Sequence, residues 1–137
     1  MNLKRYIAAS LAVFAGSQVL DYLIHNVMLQ GLYAETKHLW RPDMASKMWI
    51  MQAVGLVTSF LFVYIFTKGY EGKGIMEGFR FGLIVGLFTS LPMGYGSYAV
   101  MPIPYELAFK WFLYGTAETI VVGMIAALIY RPLAKGV

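Results

Sequence analysis

Four stretches of this 137-residue chain are almost free of charge: Asp21 is the only formal charge between Tyr6 and Ala34, Glu118 the only one between Trp111 and Tyr130, and there is none in Met48 to Thr67 or Phe81 to Tyr105. A helix that crosses a bilayer needs about 20 mostly apolar residues, because the hydrocarbon core is about 30 Å thick and each residue rises about 1.5 Å. The spacing therefore predicts an all-α, polytopic membrane protein: a four-transmembrane-helix bundle in one domain. Its helices lie near 6–28, 48–67, 76–100 and 107–130, with an outer loop at 29–47 long enough to lie on the membrane surface. Only 13% of the residues are charged, against about a quarter in soluble domains, which argues against both a disordered chain and an ordinary cytosolic one. Lys4 and Arg5 precede an apolar run, and Val13-Phe14-Ala15 resembles a cleavage site, as in a signal peptide. The apolar run continues well past Ala15, so a retained helix is expected.

Eleven Lys and Arg face seven Asp and Glu, for a net charge of +4. The positive charges stand singly and form no stripe that follows a phosphate backbone, so nucleic acid is not an expected partner. With no cysteine there is no disulfide, thiol nucleophile, thiolate zinc site or iron–sulfur cluster. Orientation follows from the loop charges. An inside N-terminus places Lys4, Arg5, Lys68, Lys73, Arg80, Arg131 and Lys135 on the cytoplasmic side, against Lys37, Arg41, Lys47 and Lys110 outside. Both ends are then inside (N-in/C-in), and Trp40, Trp49 and Trp111 fall at the outer boundary, where indole rings favour the headgroup layer.

Inside lipid, helices associate through close backbone contact, which small residues every fourth position allow. Gly74, Gly78, Gly82 and Gly86 have that spacing, continued by Ser90 and Gly94; the fourth helix has Gly115, Thr119, Gly123 and Ala127, and the first Ala8, Ala12 and Gly16. These stripes are expected to pack the helices of one chain together; the alternative is an interface between copies. Pro92 removes one backbone bond in the third helix, with Gly94 and Gly96 beyond it, so a hinge, kinked or unwound, is expected there, facing protein or a wet cavity.

Asp21 and Glu118 are the informative residues, because an ionisable group near the bilayer centre costs several kcal/mol unless paired or hydrated. Helix rise puts Asp21 about 6 Å and Glu118 about 3 Å to the outer side of their helix midpoints, at nearly one level. His25 sits one turn above Asp21, and Gln52, Thr89, Ser90 and Tyr95 project into the same outer half, so each helix is expected to supply a polar group to one layer. Three readings of this layer stand side by side: hydrogen bonds that fix helix register; a proton or cation site built on two neighbouring carboxylates; and a divalent-metal site from Asp21, His25 and Glu118. Met28, Met44, Met48, Met51, Met93 and Met101 also map to the outer half. Thioethers hold Cu(I), but methionine equally fills gaps in apolar cores, and neither a metal nor a cofactor is assigned. His38 reads as a solvated loop residue. Nucleophile elbow, phosphate loop, His-Glu-x-x-His pair and paired haem histidines are all missing from the sequence, so a non-enzymatic protein is expected.

The segments Asp21-Tyr22-Leu23-Ile24-His25, Leu39-Trp40-Arg41-Pro42, Lys68-Gly69-Tyr70-Glu71-Gly72-Lys73-Gly74 with Glu77-Gly78-Phe79-Arg80-Phe81-Gly82, and Met101-Pro102-Ile103-Pro104 resemble those of small bacterial four-helix integral membrane proteins of unknown function. The resemblance implies a multi-pass topology in the bacterial inner membrane and no activity. In size and in having a membrane-embedded Glu the chain is also similar to small multidrug transporters, which carry theirs in the first helix, whereas Glu118 is in the last. The expectation is a transport-like protein whose outer polar pocket binds a proton, small cation or cationic ligand. Asp21 and Glu118 bind the charge, His25 tunes or relays a proton, Gln52, Thr89, Ser90 and Tyr95 orient the ligand, and Pro92 gives access. The alternative is an accessory subunit of a larger membrane complex, docking through its small-residue stripes. The expected partners are the lipid bilayer and further copies or a larger complex.

Overall fold

The computed structural model describes residues 1–131; Lys135, counted above among the inner charges, lies outside them. The chain is all-α, with four helical runs long and apolar enough to cross a membrane, Leu3–Met28, Met44–Lys68, Ile75–Val100 and Tyr105–Ile129. At about 1.5 Å per residue the longest of these reach about 39 Å. Each begins two to four residues earlier than the apolar stretches suggest, or one for the third, and at the first a polar cap accounts for it. Asn2 shows how: its side chain accepts the Arg5 backbone N–H at 3.1 Å, satisfying an orphan donor of the first turn.

Helix α1 (Leu3–Asp21) continues without a break into a π-helical run, Tyr22–Met28, closed by Leu29 N–H donating to the Ile24 carbonyl at 2.8 Å. A short helix α2 (Gln30–Glu35) and a 3₁₀ turn (Lys37–Leu39) follow. Leu29 is fully buried and, with Ile24, packs against Ile103, Leu107 and Ala108. Residues 29–40 thus fold as a short helical cap over one end of the bundle, largely exposed on its outer side. Buried Thr36 holds the cap, its hydroxyl donating to the Leu32 carbonyl at 2.7 Å and accepting Trp40 Nε1–H at 3.1 Å.

Helix α3 (Met44–Lys68) leads to a turn clamped by the buried Glu77 carboxylate, which accepts the Glu71 N–H at 2.5 Å and the Lys73 N–H at 2.7 Å. Gly72 and Gly74 sit at φ +75° and +79°, a left-handed backbone that suits glycine. Gly74 therefore serves the turn, with nothing within 4 Å of a side chain there, and is not a member of the helix-packing row. Helix α4 (Ile75–Leu91) passes through Pro92 into a second π-helical run, Pro92–Gly96, and then α5 (Ser97–Val100). The expected unwound turn at Pro92 is replaced by this widened turn, which absorbs the missing N–H while the helix continues. Helix α6 (Tyr105–Ile129) closes the bundle.

The most extensive pairing is between α4 and α6. A Cβ on Gly82 would run into the Thr119 carbonyl and come within 2.7 Å of Ile120 Cα; one on Gly78 would meet the Gly123 carbonyl, and one on Gly123 the Gly78 carbonyl. A Cβ on Gly86 would lie 3.1 Å from Thr116 Cα, and one on Gly115 2.6 Å from Ser90 Oγ. The glycine stripe of α4 thus faces α6 within the chain. Toward the end where α1 begins and α6 finishes, Val13, Phe62, Val63, Phe66, Val122 and Ala126 form an apolar core. Arg5 Nη1 donates to the Ile129 carbonyl there at 3.2 Å and Tyr6 Oη to the Phe60 carbonyl at 3.0 Å. Helix α3 joins the bundle only toward this end. From Met44 to Thr58 every residue but half-buried Gly55 is exposed.

Candidate functional site

Asp21 and Glu118 lie between this core and the opposite, loop end. Asp21 is the last α-helical residue of α1 and Glu118 lies midway along α6; the two carboxyls stand close enough across the two helices to interact electrostatically. His25, one turn on, sets Nε2 3.7 Å from Asp21 Oδ1. The π-helical run begins at Tyr22. A π turn holds more residues than an α turn, so each residue advances through a smaller angle around the axis; this sets where His25 stands relative to Asp21.

From His25 the contacts pass to the cap. His25 Nδ1 lies 2.6 Å from Tyr33 Oη, and Trp111 Nε1–H donates to the same oxygen at 2.8 Å. The Tyr33 ring stacks on His25 at 5.9 Å and meets Trp40 edge-on at 5.8 Å. Because the indole is a donor only, Tyr33 Oη accepts from Trp111 and has its own hydrogen free for His25 Nδ1, which assigns the Nε2–H tautomer to a neutral ring. Five side chains thus form one polar chain, Glu118, Asp21, His25, Tyr33 and Trp111. Burial and the nearby Asp21 charge push the Tyr33 phenol above its usual range, against the Trp111 hydrogen bond, which pulls it down.

Two cavities border this chain. One, of about 100 Å³, lies between His25, Ser90, Met93, Trp111 and Glu118. The other, of about 210 Å³, is almost wholly apolar, walled by Leu20, Met28, Ala117 and Val121. Glu118, Tyr114 and Ile24 line both, so Glu118 stands between the two spaces.

Of the residues expected in the layer, the structure brings Asp21, His25, Ser90 and Glu118 together. Gln52 is exposed on the free half of α3 and lines neither cavity. Thr89 is exposed and turns its hydroxyl back to the Val85 carbonyl at 2.9 Å. Tyr95 points to the Tyr105 hydroxyl, 3.1 Å away, and packs on Phe112. The ligand-orienting role expected for these three has no geometry behind it. Pro92 is itself exposed, but Gly94 in the same turn lies against the Ala108 carbonyl, 2.5 Å from where a Cβ would stand. Among the described residues no group of three His, Asp or Glu side chains is placed to hold a metal ion, which removes the divalent reading of Asp21, His25 and Glu118. Tyr33, Tyr114 and Trp111 are the site residues that the sequence did not single out; Trp111 read as an interface anchor, and no local signal marks Tyr33.

No family model matches the chain, and no curated protein or solved structure is significantly similar to it.

Proposed function

We propose that this chain is a multi-pass protein of the bacterial inner membrane, N-in and C-in, that binds a proton or a small cation between Asp21 and Glu118. The observation that supports the reading is the proximity of these two carboxyls, on the first and last long helices, beside a cavity lined by Glu118 and His25. Two carboxylates that lie close together repel each other, and a proton or a cation between them relieves that repulsion. Away from water the need is greater, because little else screens the charge. Glu118 also fronts the two cavities, which gives a bound species room to arrive and leave. The membrane placement rests on the four apolar helices, and the orientation on seven inner against four outer Lys and Arg.

The test is thermal unfolding of the protein purified in mild detergent, scanned over pH and over sodium, potassium and tetramethylammonium. The unaltered protein shifts its midpoint with pH or with one of the cations. Glu118→Gln combined with Asp21→Asn keeps the fold and loses the shift. An unaltered protein whose midpoint ignores both pH and cation would overturn the reading.

A second reading, an accessory subunit of a larger membrane complex, draws on the loop-end half of α3, exposed from Met44 to Thr58 apart from half-buried Gly55. In this reading the half-helix serves as the docking surface, since α6 covers Gly78, Gly82 and Gly86 of the glycine stripe. Gentle extraction followed by native mass spectrometry tests it: a second protein species retained on the unaltered chain and lost with Gln52→Leu and Trp49→Ala supports it, and a chain without companions overturns it.

A further inference from the structure

Whatever occupies the carboxyl pair has to exchange with one side of the bilayer, and the cap offers a route. We propose that His25 and Tyr33 carry protons between the Asp21–Glu118 pair and the loop end of the protein. This rests on the reading just given and adds the path and the side of exchange.

The contacts are in series. Tyr33 Oη lies 2.6 Å from His25 Nδ1, a distance at which a hydrogen is shared readily. His25 Nε2 lies 3.7 Å from Asp21 Oδ1, a gap that a small side-chain rotation closes. Asp21 stands beside Glu118, near enough for the two carboxyls to interact. Tyr33 belongs to α2, in the cap that folds over the loop end, so the chain starts outside the membrane-spanning runs and ends at the carboxyl pair. The titratable groups facing it are Asp21 and His25 on the first helical run, Tyr33 on the cap, and Tyr114 and Glu118 on α6. From α4 and its extension the neighbours are Ser90 and Met93, which do not titrate in this range.

The transfer balances without any further reagent. A proton from the loop-end solvent lands on the free lone pair of Tyr33 Oη as the phenol passes its own hydrogen to His25 Nδ1. The imidazolium so formed releases its Nε2 hydrogen to Asp21 Oδ1, which shares it with Glu118. His25 is left neutral with its hydrogen on Nδ1, donating to Tyr33. Release runs through the same steps in reverse and restores the starting tautomer, so repeated exchange with the loop-end side leaves no group in the wrong state. Trp111 takes no proton; its N–H holds the phenol oxygen in line with His25, a positioning role.

The experiment is a pH jump on the full chain in lipid nanodiscs, following the infrared band of the protonated carboxyl pair in time and at its end point. Tyr33→Phe removes the hydroxyl, and His25→Gln keeps a hydrogen-bonding side chain that cannot carry a proton. Both are expected to slow the band at least tenfold while its final amplitude stays as in the unaltered protein. Trp111→Phe, which loosens the phenol and leaves the path intact, is expected to slow it less than threefold. Unchanged rates in Tyr33→Phe and His25→Gln, or equal slowing by Trp111→Phe, would overturn the relay while leaving the binding site standing. An unaltered protein with no pH-sensitive carboxyl band would overturn the site and the relay together.

Discussion

The two ends of the bundle are built to opposite specifications. Where the first run starts and the last one ends, α1, α3 and α6 meet through Ala9, Val63, Phe66, Ala126 and Ala127, all at most 2% exposed, and glycines bring the backbones of α4 and α6 into contact. Toward the loops, α3 stands free, two helices carry π-helical runs, cavities open beside Glu118, and polar side chains from three elements are linked. Helices apolar enough to cross a membrane would gain little in lipid from the hydrophobic effect, so tight packing there has to come from shape, which the half with the core supplies. That rigidity lets the loop half hold irregular backbone and buried polar groups, arrangements that persist only when their surroundings over-determine them.

The comparison is broken most severely by adding bulk to the half with the core. Gly82→Leu is expected to separate α4 from α6 and leave no folded monomer by size-exclusion in detergent, because even a Cβ meets the Thr119 carbonyl. Gly82→Ala is the graded form, with a loss of about 1–3 kcal/mol typical of overpacking, read from steric-trap or denaturant unfolding. If Gly82→Ala is neutral, the half described as rigid is not.

The loop half is expected to respond less in stability. Tyr33→Phe deletes the acceptor of Trp111 and the partner of His25, a cost of about 1–2 kcal/mol at two net hydrogen bonds. It also changes the alkaline limb. Because the folded phenol titrates above its usual value, mainly through burial, its stabilisation is complete below the ordinary phenol range and is lost as pH rises through the raised value. Circular dichroism melts of the unaltered protein should therefore weaken at alkaline pH, and the Tyr33→Phe variant should lack that component. Gly31→Ala is the smallest change: α2 leaves open space around Gly31, so replacing a helical glycine should stabilise by about 0.5–1 kcal/mol. A loss there would mean that the cap is packed as tightly as the core.

Much of this division was legible in the sequence, though unevenly. Asp21 and Glu118 stand out because each is the sole formal charge in an apolar run, and helix rise fixes their level. Rise does not fix rotation. A helix that is apolar on every side carries no amphipathic signal to say which face turns inward, and so Gln52, Thr89 and Tyr95, at the right height, point elsewhere. Gly78, Gly82 and Gly86 were readable from spacing, while Gly74 was misassigned because the same spacing runs on into a turn set by its φ of +79°. The π-helical runs left no mark beyond Pro92. Tyr33 joins the site only through the folded cap and through Trp111, 78 residues away, a pairing that no local pattern encodes.

The central claim is that the acids of the first and last helices act as one site. Selective ¹³C labelling of Asp and Glu side-chain carboxyls, with the Asp21 and Glu118 signals assigned by substitution, follows both carbons through a pH titration in lipid. A single site requires the two signals to move over the same pH range, and Glu118→Gln to shift the range in which Asp21 moves. Two carbons that titrate separately, each indifferent to substitution of the other, would contradict it.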